Sequence, residues 1–326
     1  MLKRRTMVAG FALLAIGGVY LANASWLAPA PSGRPGVLAH RGVHQTFSDV
    51  GLRQDTCTAT RIDPPTNPYL ENTIASMRAS FAAGASSVEL DIHPTTDNEF
   101  AVFHDWTLDC RTNGHGVTRE KSMAYLRSLD IGFGYTADKG RTYPFRGKGT
   151  GLMPTLEEVM AAFPGRQFLI NIKSNDPSEA DRLLRYLTAH RRPIDRRLWV
   201  FADGRPVDRL LQLAPQALIM SKQRGKDCVI GYLALGWTGY VPAACRQNVM
   251  AIPVNLRSLY WGWPNRLFAR LDDAGTQVML IGPVGKGGPL GVSAASQLDG
   301  LPARFPGMIM TDEIERIGPA ARQRWH

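Results

Sequence analysis

The chain has 326 residues, of which 44% are hydrophobic and 20% are charged. This composition excludes an intrinsically disordered or collagen-like chain, and the length suits two average domains or one large α/β barrel. The 38 Lys and Arg residues outnumber the 28 Asp and Glu residues and give a formal net charge of +10. Such an excess suits anionic substrates or a membrane surface. Because the positive charge is dispersed and no aromatic-basic motif stands out, we predict no nucleic-acid partner.

Residues 1–24 have the three parts of a secretory signal peptide. Lys3, Arg4 and Arg5 precede the uncharged apolar run 7–22, and Ala22-Asn23-Ala24 forms a small-x-small cleavage site. The run is also close to the length of a membrane span, so an uncleaved N-terminal membrane anchor stays an alternative. We therefore predict export to the periplasm or the extracellular space, with residues 25–36 as a linker and one domain over residues 37–326.

Short apolar runs alternate with helical patterns through this domain. The predicted strands are 37–40, 87–93, 100–104, 167–173, 198–202, 217–220, 249–254, 277–281 and 308–311, and the predicted helices are 73–83, 155–162, 177–190, 206–214 and 264–274. The strand runs are short and mostly not alternating, as is typical of strands buried on both faces of a parallel sheet. Nine such runs predict an α/β TIM (β/α)8 barrel with one run outside the ring.

Polar residues end four of the predicted strands. They are His40-Arg41, Glu89 to His93, His104-Asp105 and Asn171 to Lys173. Each residue alone has a structural explanation, such as a rim histidine or a helix cap. Burying so many polar groups at four strand ends without a function would cost free energy. Because a TIM barrel carries its active site at the carboxyl ends of its strands, we predict the site there.

The residue types at these strand ends indicate metal-assisted chemistry at phosphorus. Glu89 and Asp91 are two apart on one strand, so they share a face and repel each other unless a cation lies between them. Oxygen ligands favour Mg²⁺ or Ca²⁺ over zinc. A glycosidase-like pair is the alternative, although such pairs usually come from different strands.

Two histidines and two cations complete this prediction. His40 and His104 can act as the acid and the base that flank a phosphoryl group. Arg41 and Lys173 can neutralise a phosphate, although an ion pair with Glu71 or Asp105 is an alternative role for Arg41.

Several motifs in this order resemble those of the glycerophosphodiester phosphodiesterase family. They are Leu38-Ala39-His40-Arg41-Gly42, Glu71-Asn72-Thr73, Val88-Glu89-Leu90-Asp91-Ile92, His104-Asp105, Arg111-Thr112-Asn113-Gly114, Met153-Pro154-Thr155-Leu156-Glu157-Glu158-Val159 and Ile309-Met310-Thr311-Asp312. The resemblance runs over residues 37–316. It implies a TIM barrel, a divalent cation and the hydrolysis of a phosphodiester to an alcohol and a phosphomonoester.

The resemblance also implies a role for individual residues. His40 and His104 would be the acid/base pair, and Glu89 and Asp91 would bind the metal. Arg41 and Lys173 would hold the phosphate, and Glu71 would contact the substrate or the metal. In this family a substrate hydroxyl is thought to attack first, which gives a cyclic phosphate that water then opens.

The chain departs from the family pattern at three places. Asn171 replaces a glutamate that ligates the metal; its amide oxygen can still ligate, with one negative charge fewer. The late strand lacks the usual tryptophan, which Trp261 or Trp263 could replace; the alternative is that both are core residues. Residues 43–70 form a long insertion after the first strand, and we expect this insertion to lie over the barrel mouth.

The four cysteines predict disulfides, because an even number suits an oxidising compartment and none lies in a CxxC pair. Cys57 lies in the insertion and Cys110 follows His104-Asp105, so both are expected at the catalytic rim and to pair there. Cys228 and Cys245 would form the second pair. The alternative is four buried free thiols.

The leading prediction is metal-dependent hydrolysis of glycerophosphodiesters, with Mg²⁺ or Ca²⁺ as cofactor, to an alcohol and glycerol 3-phosphate. A phospholipase-D-like or lysophospholipid phosphodiesterase is the alternative enzyme, favoured by the basic surface and by contact with a membrane surface. A barrel that binds phosphodiesters or lipid without turnover is the non-enzyme alternative, indicated by Asn171 alone. The predicted partner is a small-molecule phosphodiester, and the sequence does not indicate the oligomeric state.

Overall fold

A computed structural model describes residues 2–325 except positions 49, 54, 55, 193, 195–197 and 286–290. The strands are β1 Gly36–His40, β2 Ser87–Pro94, β3 Phe100–Val102, β4 Gln167–Ile172, β5 Leu198–Phe201, β6 Leu218–Met220, β7 Val249–Pro253, β8 Gln277–Ile281 and β9 Gly307–Thr311. The helices are α1 Leu2–Asn23, α2 Ile74–Ala83, α3 Met123–Ser128, α4 Leu156–Ala162, α5 Ser178–Ala189, α6 Arg205–Leu213, α7 Lys222–Leu235, α8 Asn265–Asp273 and α9 Ile314–Trp325.

Eight of these strands form a nearly closed parallel barrel. Their order is β6-β5-β4-β2-β1-β9-β8-β7, and β6 and β7 at the two ends of this order lie in contact. The predicted (β/α)8 barrel, its nine strands and its five helices are therefore confirmed, while α1, α3, α7 and α9 were not among the predicted helices. Two sets of apolar side chains alternate along the strands, as the pleat requires. One set packs under the helices, and the other, which includes Leu38, Leu169 and Met310, fills the barrel interior.

The strand outside the ring corrects one expectation. Residues 100–104 were expected to end at the mouth as the parallel strands do, but β3 pairs antiparallel with β2, with Val102 opposite Ile92. The chain leaves β2 beyond the mouth and returns, so the Phe103 amide donates to the Asp91 carbonyl at 3.0 Å. This reversal brings His104 back to the level of the β2 carboxylates.

A second apolar core lies outside the barrel. We call residues 43–70 and 95–153 the cap lobe. The side chains that form its core are Ala59, Ile62, Leu70, Ala101, Phe103, Leu108, Met123, Leu126, Leu129, Ile131, Tyr135, Phe145 and Met153. A disulfide between Cys57 and Cys110 joins the two segments of the lobe. The predicted insertion is therefore confirmed, and it shares its core with the segment that carries His104.

The second predicted disulfide is also confirmed. Cys228 of α7 is bonded to Cys245, and both residues are buried. The described residues thus contain both of the expected pairs and no free cysteine.

The C-terminal end of helix α1 contacts the barrel. Asn23 donates to the carbonyl of Trp237 at 2.8 Å, and Ala24 is buried. Among the described residues, no helix is long and apolar enough to cross a membrane. The side chains of Lys3, Arg4 and Arg5, which belong to the predicted export signal, lie outside the described part of the structure.

Candidate active site

A cavity of about 1430 Å³ opens at the carboxyl ends of the barrel strands. His40, Arg41 and Lys173 line it from the barrel, and His104 lines it from the cap lobe. The insertion adds further lining, including Phe47. Four of the eight predicted site residues therefore line one cavity at the end of the barrel where a TIM barrel carries its active site, whereas Glu71, Glu89, Asp91 and Asn171 are not among its lining residues.

The strand register explains how the site is built. His40 pairs with Glu89 across β1 and β2, and Asp91 pairs with Asn171 across β2 and β4. These side chains continue the inward-facing rows that fill the barrel below them. On β1 and β4 the row thus changes from apolar Leu38 and Leu169 to polar at the mouth, whereas the row of β2 is polar from Ser87 onward.

The His40-Arg41-Gly42 turn explains part of the sequence pattern. Arg41 has a φ of 57° and Gly42 a φ of 86°, which is the left-handed region that suits glycine. A Cβ on Gly42 would lie 2.1 Å from the hydroxyl of Ser76. The Arg41 amide donates to the carbonyl of Glu89 at 3.0 Å, which fixes this strained turn on β2.

Glu89, Asp91 and Asn171 form the floor of the site. The Asn171 amide nitrogen donates to Glu89 Oε1 and to Asp91 Oδ1, at 3.0 Å in each case. Lys173 Nζ lies 3.3 Å from Asp91 Oδ1, and the Asn72 amide nitrogen donates to Asp91 Oδ2 at 3.0 Å. Asp91 is therefore surrounded by donors and cations, whereas Glu89 has fewer partners.

The two carboxylates accordingly differ in charge preference. Burial and the charge of Asp91 raise the pKa of Glu89. Burial acts the same way on Asp91, but Lys173 and Arg41 outweigh it and hold the pKa of Asp91 well below its usual range. Without a further cation, Asp91 carries the negative charge and Glu89 tends toward the neutral acid.

An unpartnered oxygen tests whether these residues suit a divalent cation. Within the described part of the chain, Glu89 Oε2 is buried and has no hydrogen-bond partner. A hard cation bound there would satisfy this oxygen and remove the repulsion from Asp91, so the pair fits such an ion. Asn171 can join as a ligand only after its amide rotates, because its nitrogen now faces both carboxylates.

A second group of side chains could also hold a metal. One nitrogen each from His40 and His44 and one oxygen of Asp312 lie within 4.8 Å of one another. His44 is buried, and its Nε2 has no hydrogen-bond partner among the described residues. The site thus contains a candidate metal-binding group that the sequence did not indicate.

His40 is paired with a carboxylate from the last strand of the barrel. Its Nδ1 lies 2.6 Å from Asp312 Oδ1, and its Nε2 lies 3.7 Å from Glu89 Oε2. Burial and Arg41 lower the pKa of His40, but Glu89 and Asp312 outweigh them, and the net pKa is raised. His40 therefore favours the protonated form.

His104 is paired with its own neighbour. Its Nδ1 lies 2.7 Å from Asp105 Oδ1, and Asp105 in turn accepts a short hydrogen bond from Arg111. Burial and the charge of Arg41 lower the pKa of His104 to about 4. Near neutral pH, His104 is therefore the unprotonated member of the pair.

Glu71 binds two arginines in the structure. Its two oxygens lie 3.2 Å from Arg41 Nη1 and 3.2 Å from Arg111 Nη2. Although burial favours the neutral acid, Arg111 and Arg41 hold the pKa of Glu71 well below its usual range. Glu71 thus orients Arg41, as the ion-pair alternative for Arg41 predicted.

Sequence reasoning missed two supporting residues, and the structure does not place Trp261 or Trp263 at the cavity, which was one of the two alternatives for them. Arg111 and Asp312 stood in recognised motifs but were given no role, although Arg111 binds Asp105, the partner of His104, and Asp312 pairs with His40 itself. Among the described residues that line the cavity, the tryptophan is Trp106, and neither Trp261 nor Trp263 is present. Trp261 instead donates to the carbonyl of Leu233 at 2.8 Å, because its loop folds against α7.

A family model matches the part of the chain that contains His40, His104 and Lys173. The glycerophosphoryl diester phosphodiesterase family model matches residues 40–212, which is more than half of the chain. The chain belongs to this family.

Similar proteins carry the same family name. A glycerophosphodiester phosphodiesterase of Caldanaerobacter subterraneus subsp. tengcongensis is 35% identical over 32% of this chain and 39% of its own length. A lysophospholipase D of Mus musculus is 29% identical over 57% of each chain. The chain thus aligns with about two fifths of the length of the first of these relatives.

Solved structures of phosphodiesterases of this family share the fold. The glycerophosphoryl diester phosphodiesterase domain of a Mycobacterium tuberculosis protein gives a TM-score of 0.59 at 16% identity, covering 89% of this chain and 99% of that one. An Oleispira antarctica phosphodiesterase in complex with sn-glycerol-3-phosphate gives 0.53 at 18% identity, covering 89% and 97%. Both likenesses show the barrel alone.

Proposed function

We propose that this phosphodiesterase-family barrel hydrolyses glycerophosphodiesters to an alcohol and glycerol 3-phosphate with the help of a divalent cation. The observation that carries the proposal is the pair of histidines: His40 and His104 line one cavity, each on its own carboxylate, above a floor that holds Arg41 and Lys173. Acid and base groups placed around bound phosphate suit displacement at phosphorus.

The opposite pKa shifts of the two histidines support separate roles. His104, whose pKa is lowered to about 4, is ready to take a proton from the attacking hydroxyl. His40, whose pKa is raised by Glu89 and Asp312 against burial, is ready to give a proton to the departing oxygen. Arg41 and Lys173 would bind the phosphate oxygens, and Glu71 would keep Arg41 oriented.

Glu89 and Asp91 would hold the cation, either Mg²⁺ or Ca²⁺, with Asn171 as the third ligand once its amide oxygen faces the ion. Such a cation supplies charge stabilisation to the phosphoryl oxygens. The unpartnered Glu89 oxygen supports this assignment.

A substrate panel tests the proposal. Glycerophosphocholine and other glycerophosphodiesters are incubated with and without EDTA, and free glycerol 3-phosphate and free choline are followed. We expect glycerol 3-phosphate release that chelation abolishes and added Mg²⁺ or Ca²⁺ restores. Full activity after exhaustive chelation would contradict the metal, and binding without turnover would favour the non-enzyme alternative.

A lysophospholipid is the second candidate substrate. The cavity is large at about 1430 Å³, and Phe47, Leu52 and Trp106 give part of its lining an apolar character that suits an acyl chain. The likeness to a mouse lysophospholipase D supports the same alternative. In the panel, lysophosphatidylcholine would release choline without glycerol 3-phosphate, which separates the two substrates.

The assignment of Asn171 has its own test. Asn171→Glu adds a negative charge beside Glu89 and Asp91, so the metal titration should shift to lower metal concentration by Coulomb attraction. Gln212→Glu adds the same charge on an exposed position of α6 and serves as the control. An unchanged titration in Asn171→Glu would remove Asn171 from the ligand set.

We also propose that the protein is exported, to the periplasm or the extracellular space. Its two disulfides support an oxidising compartment, in agreement with the signal-like residues 1–24. Cell fractionation followed by mass determination of the N-terminus tests both export and cleavage. Recovery of the chain in the cytosol with free thiols would contradict export.

A further inference from the structure

Exposed apolar side chains gather where α1 meets the barrel. We call them the tryptophan patch: Trp26, Leu27, Ile230, Leu233, Trp237 and Tyr240. Trp26 is 68% exposed and Trp237 is 42% exposed. Single exposed apolar residues are ordinary, but a group of this kind marks an interaction surface.

Hydrogen bonds hold the two parts of the patch together. Asn23 at the end of α1 donates to the Trp237 carbonyl at 2.8 Å, and Arg270 donates to the Asn23 side-chain oxygen at 2.9 Å. The amide of Asn265 donates to the Ser25 hydroxyl at 2.9 Å, one residue before Trp26. The patch is therefore a fixed surface that includes the point where α1 leaves the barrel.

The α7 side of the patch is one stripe of the helix and the turn after it. Lys226, Ile230, Leu233 and Trp237 recur at helical spacing and are all exposed. Tyr232, on the opposite face, is fully buried. The stripe thus presents a basic residue followed by three apolar ones to the solvent.

The helix that leaves this patch is itself apolar and uncovered. Val8, Phe11, Leu14 and Ile16 of α1 are each at least 66% exposed. Lys3, Arg4 and Arg5 precede them in the sequence. Apolar side chains next to basic residues are the composition that binds the interface of an anionic bilayer.

We propose that the tryptophan patch, together with α1, binds the surface of a lipid bilayer that contains anionic lipids. Tryptophan and tyrosine suit the interface between headgroups and acyl chains, because their rings are apolar and carry a polar edge. The net charge of +10 complements anionic headgroups. The continuity of the patch with the uncovered apolar helix α1 distinguishes a bilayer from a globular protein partner. This inference does not depend on the proposed hydrolysis.

Vesicle flotation of the full chain tests the proposal. The probe is vesicles of phosphatidylcholine with phosphatidylglycerol, and the variant is Trp26→Ser with Trp237→Ser. Because both indoles lose their contact with lipid, the partition coefficient should fall at least about tenfold. The matched control is Tyr125→Ser with Leu152→Ser, two exposed positions of the cap lobe, which should float as the unchanged protein does.

Two further measurements separate the outcomes. Circular dichroism and the thermal midpoint show that the patch variant is folded, and hydrolysis of glycerophosphocholine without vesicles should be unchanged. Equal flotation of patch variant and unchanged protein, or no flotation of the unchanged protein, overturns the proposal. So does a dimer in vesicle-free solution that the patch variant converts to monomer, because a second copy would then cover the patch.

Discussion

The two histidines of the site are alike in chemistry and different in origin. His40 ends β1 and is held by Asp312, which follows β9, so both partners come from neighbouring strands of the barrel. His104 follows β3 in the cap lobe and is held by the adjacent Asp105, which accepts a hydrogen bond from Arg111.

This difference means that the two halves of the site depend on different parts of the molecule. The barrel positions His40 through strand pairing, which is spread over many backbone hydrogen bonds. The cap lobe positions His104 through Arg111, which also donates to Thr58 at 2.7 Å, one residue from the Cys57–Cys110 disulfide. Changes in the cap lobe should therefore act on one half of the acid/base pair.

The largest effect should come from removing either histidine. His40→Ala and His104→Ala should each lower turnover roughly 10²–10⁴-fold with the fold retained, because a general acid or base contributes about that much. The matched control is His115→Ala, since His115 also pairs with a carboxylate, at 2.9 Å, but is 84% exposed. Steady-state kinetics measure the effect, and near-normal turnover in either variant would disprove the role of that histidine.

The next largest effect should be a loss of stability when Arg111 is replaced. Arg111→Gln removes a charged partner from the buried Glu71 and from the half-buried Asp105, so we expect the free energy of unfolding to fall by about 3–5 kcal/mol. Arg127→Gln is the control, because its ion pair with Glu158 is exposed and worth about 1 kcal/mol or less. Urea denaturation compares the two, and equal losses would show that Arg111 does not hold the cap lobe.

The Cys57–Cys110 disulfide should contribute more to the stability of the fold than the Cys228–Cys245 disulfide. Cys57 and Cys110 are 53 residues apart and Cys228 and Cys245 are 17 apart, so loop-closure entropy predicts losses of about 4 and about 3 kcal/mol on replacement by serine. Only the first pair adjoins the His104 half, so only its loss should also lower turnover. A decline in turnover confined to the Cys228–Cys245 variant would contradict this division.

His93 and His40 should make stability depend on pH in opposite directions, because their pKa values are shifted in opposite directions. Burial lowers the pKa of His93 to about 4. The unfolded chain therefore binds the proton more readily, and the stability that His93 contributes above pH 6.5 declines as the pH falls toward 4, by at most about 3 kcal/mol. His40 has the opposite sign: since its pKa is raised, its contribution is complete below its ordinary pKa and declines as the pH rises.

His93→Gln should therefore flatten the fall in unfolding free energy between pH 7 and pH 4.5. Urea denaturation at a series of pH values measures the slope. An unchanged slope would show that His93 is not the group whose protonation destabilises the fold.

The barrel could be predicted from the sequence because its strands are short runs buried on both faces. β2, for example, is buried at all eight positions. Helix α7 was missed because Gly225 and Gly231 interrupt its pattern, and α9 because it contains Pro319. The antiparallel direction of β3 could not be read from its residues, since apolar runs carry no direction.

The site residues were predicted because strand ends converge in any TIM barrel. The residues that hold the histidines in place were not predicted. Asp312 is 272 residues from His40, and only the pairing of β1 with β9 brings the two together. Arg111 is six residues from Asp105, but its other partners, Glu71 and Thr58, belong to chain segments that only the cap lobe assembles.

The contact between α1 and the barrel bears on the order of folding and N-terminal processing. Asn23 is helical and bonded to Arg270, and Ala24 is buried against the barrel. A processing peptidase needs an extended and accessible segment, which Ala22-Asn23-Ala24 offers only while the barrel is still unfolded. If residues 1–24 are removed during the proposed export, folding and processing would compete for these three residues, and a chain that folds first would keep its N-terminal helix.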